Sequence, residues 1–181
     1  NYNVRVLDVL MFGGESMLPH IFNKNFSFIK GDIRNKNVVS EALKDIDAVF
    51  HLAALVDIAA CDLNPNLTRQ INYESAMGVG NLAKRNGVKR FIFSSTCSNY
   101  GISKSGELAT EDSPLNPLSL YAKTKVETEK GLLKLDDDNF TVCILRLATV
   151  FGLSPRINFN LLINQMVREA YVKKRILLYK E

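Results

Sequence analysis

Nothing in these 181 residues provides the roughly 20 consecutive apolar side chains a helix needs to cross a bilayer. The first residues also lack the basic-then-apolar plan of a secretory signal. Cysteine is sparse: Cys61, Cys97 and Cys143 are odd in number and far apart, with no CxxC and no Cys/His cluster. Neither a disulfide framework nor a metal site is therefore expected, and a reducing cytoplasm is the expected setting. Surplus charge is small, since 23 Lys and Arg stand against 19 Asp and Glu for a net +4. The longest basic run is "KKR" at 173–175, too little to argue for a nucleic-acid partner. Internal repeats and low-complexity linkers are missing as well. What is present is 46% hydrophobic and 23% charged, a balance that suits one soluble, intracellular globular domain with a core and excludes general disorder.

Short apolar runs rich in β-branched and aromatic residues recur at 4–10 ("VRVLDVL"), 26–29 ("FSFI"), 47–54 ("DAVFHLAA"), 90–95 ("RFIFSS") and 140–152 ("FTVCILRLATVFG"). Each reads as a buried strand. Between them lie helical patterns at 35–45 and 67–87, the second closing on Asn-Gly, and a further helix opens at "LYAKTK" (120–125). A last helix is expected over 159–172 and a strand over 175–179. Strands alternating with helices predict an α/β fold with a parallel sheet and crossover helices. Ligands of such sheets bind beyond the carboxyl ends of the strands, which draws attention to Asp8, Asp32, the "LAA" of 52–54, the "SSTCS" of 94–98 and the "ATVFG" of 148–152.

Tyr121 and Lys125 are four residues apart and share one helix face. A free tyrosine has a pKa near 10, so work as a base at neutral pH requires stabilising the phenolate by about 4 kcal/mol, and an ammonium has the right sign to do so. Thr96, 25 residues earlier at a strand end, can hydrogen-bond the same substrate oxygen. Tyr and Lys at this spacing also occur on solvated faces. Asp8 suits either a dinucleotide ribose or a helix cap, and Asp32 either an adenine-side contact or a cap for the helix from Asn35. The small residues of "HLAA" allow a cofactor to approach or a helix to pack. His51 reads as a buried neighbour of the sheet.

Together "VLDVL", "KGDIRN", "VFHLAA", "INYESAMGVGNL", "RFIFSSTCSNYG", "SLYAKTK" and "LRLATVFG" resemble, in order and spacing, the extended short-chain dehydrogenase/reductases. The likeness is strongest to the NAD-dependent epimerase/dehydratase group that includes UDP-glucose 4-epimerase, and it covers nearly the whole chain. It implies a Rossmann-type doubly wound parallel sheet over 1–152 that binds NAD, and the start of a small substrate lobe over 153–181. By the same likeness Tyr121 is the general base, Lys125 lowers its pKa and holds the nicotinamide ribose, and Thr96 takes the usual Ser or Thr place. Asp8 is expected at the adenosine ribose, Asp32 and Ile33 at the adenine, and Leu52, Ala53 and Ala54 along the pyrophosphate and ribose path. Asn72 is expected to brace the site. Ser94, Ser95, Ala148 and Val150 are expected on the cofactor, with Thr96, Thr149, Arg156 and Asn158 on the substrate. Arg156 and Asn158 equally suit capping of the helix from Phe159. A homodimer is implied.

Members of the family begin with a strand and a GxxGxxG turn whose amides hold the pyrophosphate at a helix N-terminus. Neither is present in these residues, so the expectation is a fragment, or a partial record, that lacks the central strand, the phosphate loop and most of the substrate lobe. Among the group's reactions, dehydratases carry an Asp-Glu pair directly after the Thr, where this chain has Cys97 and Ser98. Reductases like GDP-fucose synthase place a cysteine where Ser98 stands. Epimerisation needs the fewest further groups: Tyr121 takes the hydroxyl proton, NAD takes the hydride, the ketone rotates and the hydride returns. The expected activity is therefore epimerisation of a nucleotide sugar, with a UDP-sugar favoured. A reductase or dehydrogenase of the same family and a non-catalytic NAD-binding scaffold are the alternatives.

Overall fold

The computed structural model describes residues 2–56, 58–102 and 108–176. Among the described residues five strands form, all in parallel pairs: β1 (Val4–Asp8), β2 (Phe26–Lys30), β3 (Ala48–His51), β4 (Arg90–Thr96) and β5 (Thr141–Leu147). They make two sheets, β1-β2 and β3-β4-β5, so β1 and β3 share no ladder. β4 is the middle strand of the larger sheet, running beside β3 from Ala48↔Arg90 to His51↔Phe93 and beside β5 from Arg90↔Thr141 to Thr96↔Leu147.

β1, β3 and β5 are shorter than their apolar runs because the chain turns once it leaves the sheet. After Asp8, its own carboxylate accepts from the Leu10 amide at 2.6 Å and Leu10 adopts φ 60°, a side-chain turn that competes with further pairing. A 3-10 turn follows at Glu15–His20. After His51, the backbone of Leu55 pairs with the Asn72 side chain rather than with a strand. The strand expected over 175–179 falls largely outside the described residues, and Arg175 and Ile176 are not in a strand.

The helices are α1 (Lys36–Ala42), α2 (Ile58–Leu63), α3 (Pro65–Arg69), α4 (Ala76–Arg85), α5 (Leu120–Leu133) and α6 (Leu162–Lys173). Asn35, not Asp32, caps α1, its side chain accepting from the Asn37 and Val38 amides. The helix expected over 67–87 is three pieces: α3, a π-helical turn (Gln70–Ser75) and α4, which stops at Asn86 with Gly87 at φ 77°. Short α2, ended by Asn64-Pro65, was too brief for a periodicity signal.

The core lies on one face of the larger sheet, where Phe91, Phe93 and Val142 meet Val39 and Leu43 from the α1 segment, Ala76, Val79 and Ala83 of α4, and Leu132 of α5. Helices α4 and α5 approach closely enough that a Cβ on Gly80 would sit 2.6 Å from Leu132 Cδ2. On the opposite face Phe50, Leu145 and Leu147 are exposed among the described residues. Among the described residues, no helix is long and apolar enough to cross a membrane.

Candidate active site at the carboxyl end of β4

β4 delivers Ser94, Ser95 and Thr96 to the carboxyl edge of the sheet, and Cys97–Tyr100 then coils as a single 3-10 turn. Thr96 caps that turn: its Oγ1 accepts from the Ser98 amide at 3.1 Å, which leaves the hydroxyl proton available to another acceptor. Helix α5 starts opposite. Ser119 caps it, accepting from the Ala122 amide at 3.1 Å, and so fixes the first turn, where Tyr121 sits. The segment before α5 is held against the 3-10 turn by Asn116 N donating to Asn99 O at 2.9 Å. Gly101 permits this approach, since it adopts φ 70° and a Cβ there would lie 2.1 Å from the Asn116 carbonyl oxygen.

Tyr121 and Lys125 come from successive turns of α5 and face the strand end together. The Thr96 hydroxyl lies near the Tyr121 phenol and favours its ionised form. Lys125 is buried; its Nζ donates to the Ser94 carbonyl at 2.7 Å and lies 4.6 Å from the centre of the Phe93 ring and 5.8 Å from that of Tyr121. Burial lowers the Lys125 pKa to about 8, against the opposing pull of the Glu129 carboxylate. Burial also pushes the Tyr121 phenol above its usual value, with Thr96 acting the other way. Desolvation sets the direction of the Tyr121 shift, and the Lys125 ammonium is engaged with a backbone carbonyl.

Asn72, wholly buried on the π-helical turn, grips the chain leaving β3. Its Oδ1 accepts from the Leu55 amide at 2.8 Å and its Nδ2 donates to the Leu55 carbonyl at 2.9 Å. The Asn72 backbone carbonyl accepts from the Thr128 hydroxyl at 2.8 Å, which ties the turn to α5. Leu52 and Ala53 are exposed just before this grip, and Ala54 is half-buried. Asp8 is exposed at the end of β1, while Asp32 is paired with Arg34 at 2.6 Å, which holds its carboxyl below the usual range. Ile33 packs partly against the core. Ala148, Thr149 and Val150 are exposed beyond β5.

Other expected residues are engaged elsewhere. Ser95 is buried and gives its hydroxyl to the Glu129 carboxylate of α5. Arg156 stacks over Phe12 at 4.2 Å. Asn158 serves the turn before α6, its Oδ1 accepting from the Asn160 amide and its carbonyl from Asn164 Nδ2. Sequence reasoning missed Glu129, Arg146, Asn99 and Tyr100, which form a polar network beneath the site. A signal existed, because Glu129 continues the four-residue spacing of Tyr121 and Lys125 on the same helical face.

The profile of the NAD dependent epimerase/dehydratase family matches residues 1–181. The chain belongs to this family. A UDP-glucose 4-epimerase of Lactobacillus helveticus is 35% identical over 161 residues, 84% of this chain and 46% of that protein. The UDP-glucose 4-epimerase of Bacillus subtilis is 29% identical over 161 residues, 85% of this chain and 47% of its own length. Among solved structures, a UDP-N-acetylglucosamine 4-epimerase from Methanobrevibacter ruminantium, in complex with UDP-N-acetylmuramic acid, superposes with a TM-score of 0.84 at 27% identity, covering 99% of this chain and 58% of that one. The dTDP-glucose 4,6-dehydratase DesIV of Streptomyces venezuelae, with NAD and TYD bound, gives 0.82 at 26% identity, with 99% and 56% covered. This epimerase/dehydratase chain has the Rossmann-type fold of these neighbours and spans about half the length of the curated relatives it matches.

Proposed function

We propose that the chain carries the catalytic groups of an NAD-dependent nucleotide-sugar epimerase, with a UDP-sugar as substrate and C4 as the reacting carbon. One observation carries this reading: Thr96, Tyr121 and Lys125 meet at the carboxyl end of β4, in a chain whose relatives include UDP-glucose 4-epimerases.

The residues present fit a dinucleotide. Asp8 is exposed at one strand end, small residues line the chain leaving β3, and a buried ammonium stands at the next strand end. Asp8 would accept from the adenosine ribose and disfavour a 2′-phosphate, so NAD is preferred to NADP. Asp32 and Ile33 would flank the adenine, Leu52 to Ala54 the ribose and pyrophosphate path, and Ser94, Ala148 and Val150 the nicotinamide end. NAD, when bound, would supply the hydride acceptor.

Tyr121 would take the proton from the sugar hydroxyl and return it, with Thr96 donating to the same oxygen. Lys125 would hold the nicotinamide ribose and add positive charge. Thr149, Arg156 and Asn158 are the candidates for the sugar nucleotide, the last two after leaving their present partners. Residues 1–152 then form the cofactor domain and 153–181 enter the substrate lobe. A homodimer in the cytoplasm completes the proposal. No disulfide joins Cys61, Cys97 and Cys143, and neither Cys97 nor Ser98 offers the carboxylates that water elimination would use.

The complete protein, purified with its bound nucleotide, should interconvert UDP-glucose and UDP-galactose without net consumption of NAD. Stoichiometric use of a reduced nicotinamide nucleotide with no epimer formed would replace this reading with that of a reductase.

A further inference from the structure

The Thr96, Tyr121 and Lys125 groups rest on a buried carboxylate that their own chemistry does not use. Glu129 is 2% exposed. It lies one turn beyond Lys125 and two beyond Tyr121, on the same face of α5. One of its oxygens, Oε1, accepts from the Ser95 hydroxyl and from Asn99 Nδ2 at 2.7 Å, while Asn99 Nδ2 also donates to Ser95 Oγ at 3.0 Å. Ser95 precedes Thr96, and Asn99 lies in the turn that Thr96 caps. The peptide bearing Thr96 is therefore fastened on both sides to a single oxygen of the helix bearing Tyr121 and Lys125.

The other oxygen, Oε2, accepts from Arg146 Nη2 at 2.8 Å, and Arg146 Nε reaches both oxygens at 3.2 Å. Arg146 Nη1 continues to the Tyr100 hydroxyl and the Glu111 carbonyl, each at 3.0 Å. One carboxylate thus joins β4, the 3-10 turn, α5 and β5, and through Arg146 the segment that leads back to α5. A buried ion pair is a poor source of stability, because desolvation of both charges offsets their attraction. What it does provide is a fixed geometry.

We propose that Glu129 is a positioning residue, setting the spacing between Thr96 on the strand end and Tyr121 and Lys125 on the helix. The kinetic part of the proposal rests on the epimerase reading above. Its electrostatic part does not. The groups facing the Lys125 ammonium are the Ser94 carbonyl from β4, neutral His51 from β3, and Tyr121 and Glu129 from α5, with Arg146 behind Glu129.

The test uses the complete protein with NAD bound and the variants Glu129→Gln and Glu129→Gln/Arg146→Gln. The single variant leaves Arg146 unpaired and should lose thermal stability. The double variant removes both charges and should regain most of it. In both, kcat should fall at least tenfold while KM for the UDP-sugar stays within about twofold, because the misplaced groups act in the reaction rather than in ground-state binding. Recovery of kcat together with stability in the double variant would reduce Glu129 to a structural part and overturn the proposal. A second readout needs no turnover: NMR titration of the Lys125 side chain should show a lower amine pKa in Glu129→Gln than in the native protein. An unchanged amine pKa would overturn the proposal as well. Absence of epimerase activity in the native protein would instead strike the functional reading and leave the titration to decide the role of Glu129.

Discussion

Lys125 loses its proton near pH 8 because burial disfavours the ammonium, and the nearby Glu129 recovers only part of that cost. The cation is therefore present below about pH 8 and lost as pH rises through it, so affinity for NAD should fall over the same interval if the ammonium holds the ribose. Isothermal titration from pH 7 to 9.5 would show the decline, and Lys125→Met should bind weakly with no such dependence. Parallel pH profiles in both proteins would remove the lysine from the cofactor site. Tyr121 makes a separable contribution. In the complete enzyme, Tyr121→Phe keeps the ring but removes the transferable proton, so turnover should drop by about 10²- to 10⁴-fold with NAD binding nearly unchanged. Retained turnover would exclude the phenol as the base. The pairing of Tyr121 with Lys125 was legible from a spacing of four, since helical geometry alone puts such residues on one face. The acidity of the phenol was not, because it depends on burial, which spacing does not report.

Helix α5 carries three residues of the site and its support, and its first turn depends on a single cap. Ser119→Ala removes the acceptor for the Ala122 amide and should cost about 1 kcal/mol. Thermal denaturation would read this, and faster hydrogen exchange at Ala122 than at Thr128 would place the loss at the helix start. Equal change along the helix would mean that the cap does not govern the turn holding Tyr121. The helix itself was legible, with "SLYAKTK" supplying the cap and the opening turn. The π-helical turn was not. Its signature is a shift in backbone pairing, and the side chains that stabilise it, Asn72 reaching Leu55 and Thr128 reaching the Asn72 carbonyl, lie 17 and 56 residues from their partners in sequence. Local patterns register neither contact.

At the scale of the molecule, the order of strands and crossovers followed from alternating apolar runs and helical patterns, because a parallel sheet requires that alternation. Which faces of the strands are covered did not follow, since a continuous apolar run reads the same whether one face or both are covered. The two sheets also differ in how firmly they are held. β4 is flanked on both sides and its Phe91 and Phe93 are fully buried, whereas among the described residues β1 and β2 pair only with each other, and a two-stranded sheet is marginal alone. The smaller pair is tied to the rest by apolar packing of Leu7 and Ile33 and by Arg5, whose Nη1 donates to the Ala42 carbonyl at 3.1 Å and the Lys44 carbonyl at 2.7 Å. Native-state hydrogen exchange on the 181-residue chain should therefore find the amides of β1 and β2 less protected than those of β4 by at least about tenfold. Arg5→Ala should widen that gap by lowering protection in β1 and β2 while leaving Phe91 and Phe93 unchanged. If the variant instead lowered both sheets together, the pair would unfold with the core, and Arg5 would be a contributor to global stability rather than the link between two separately opening units.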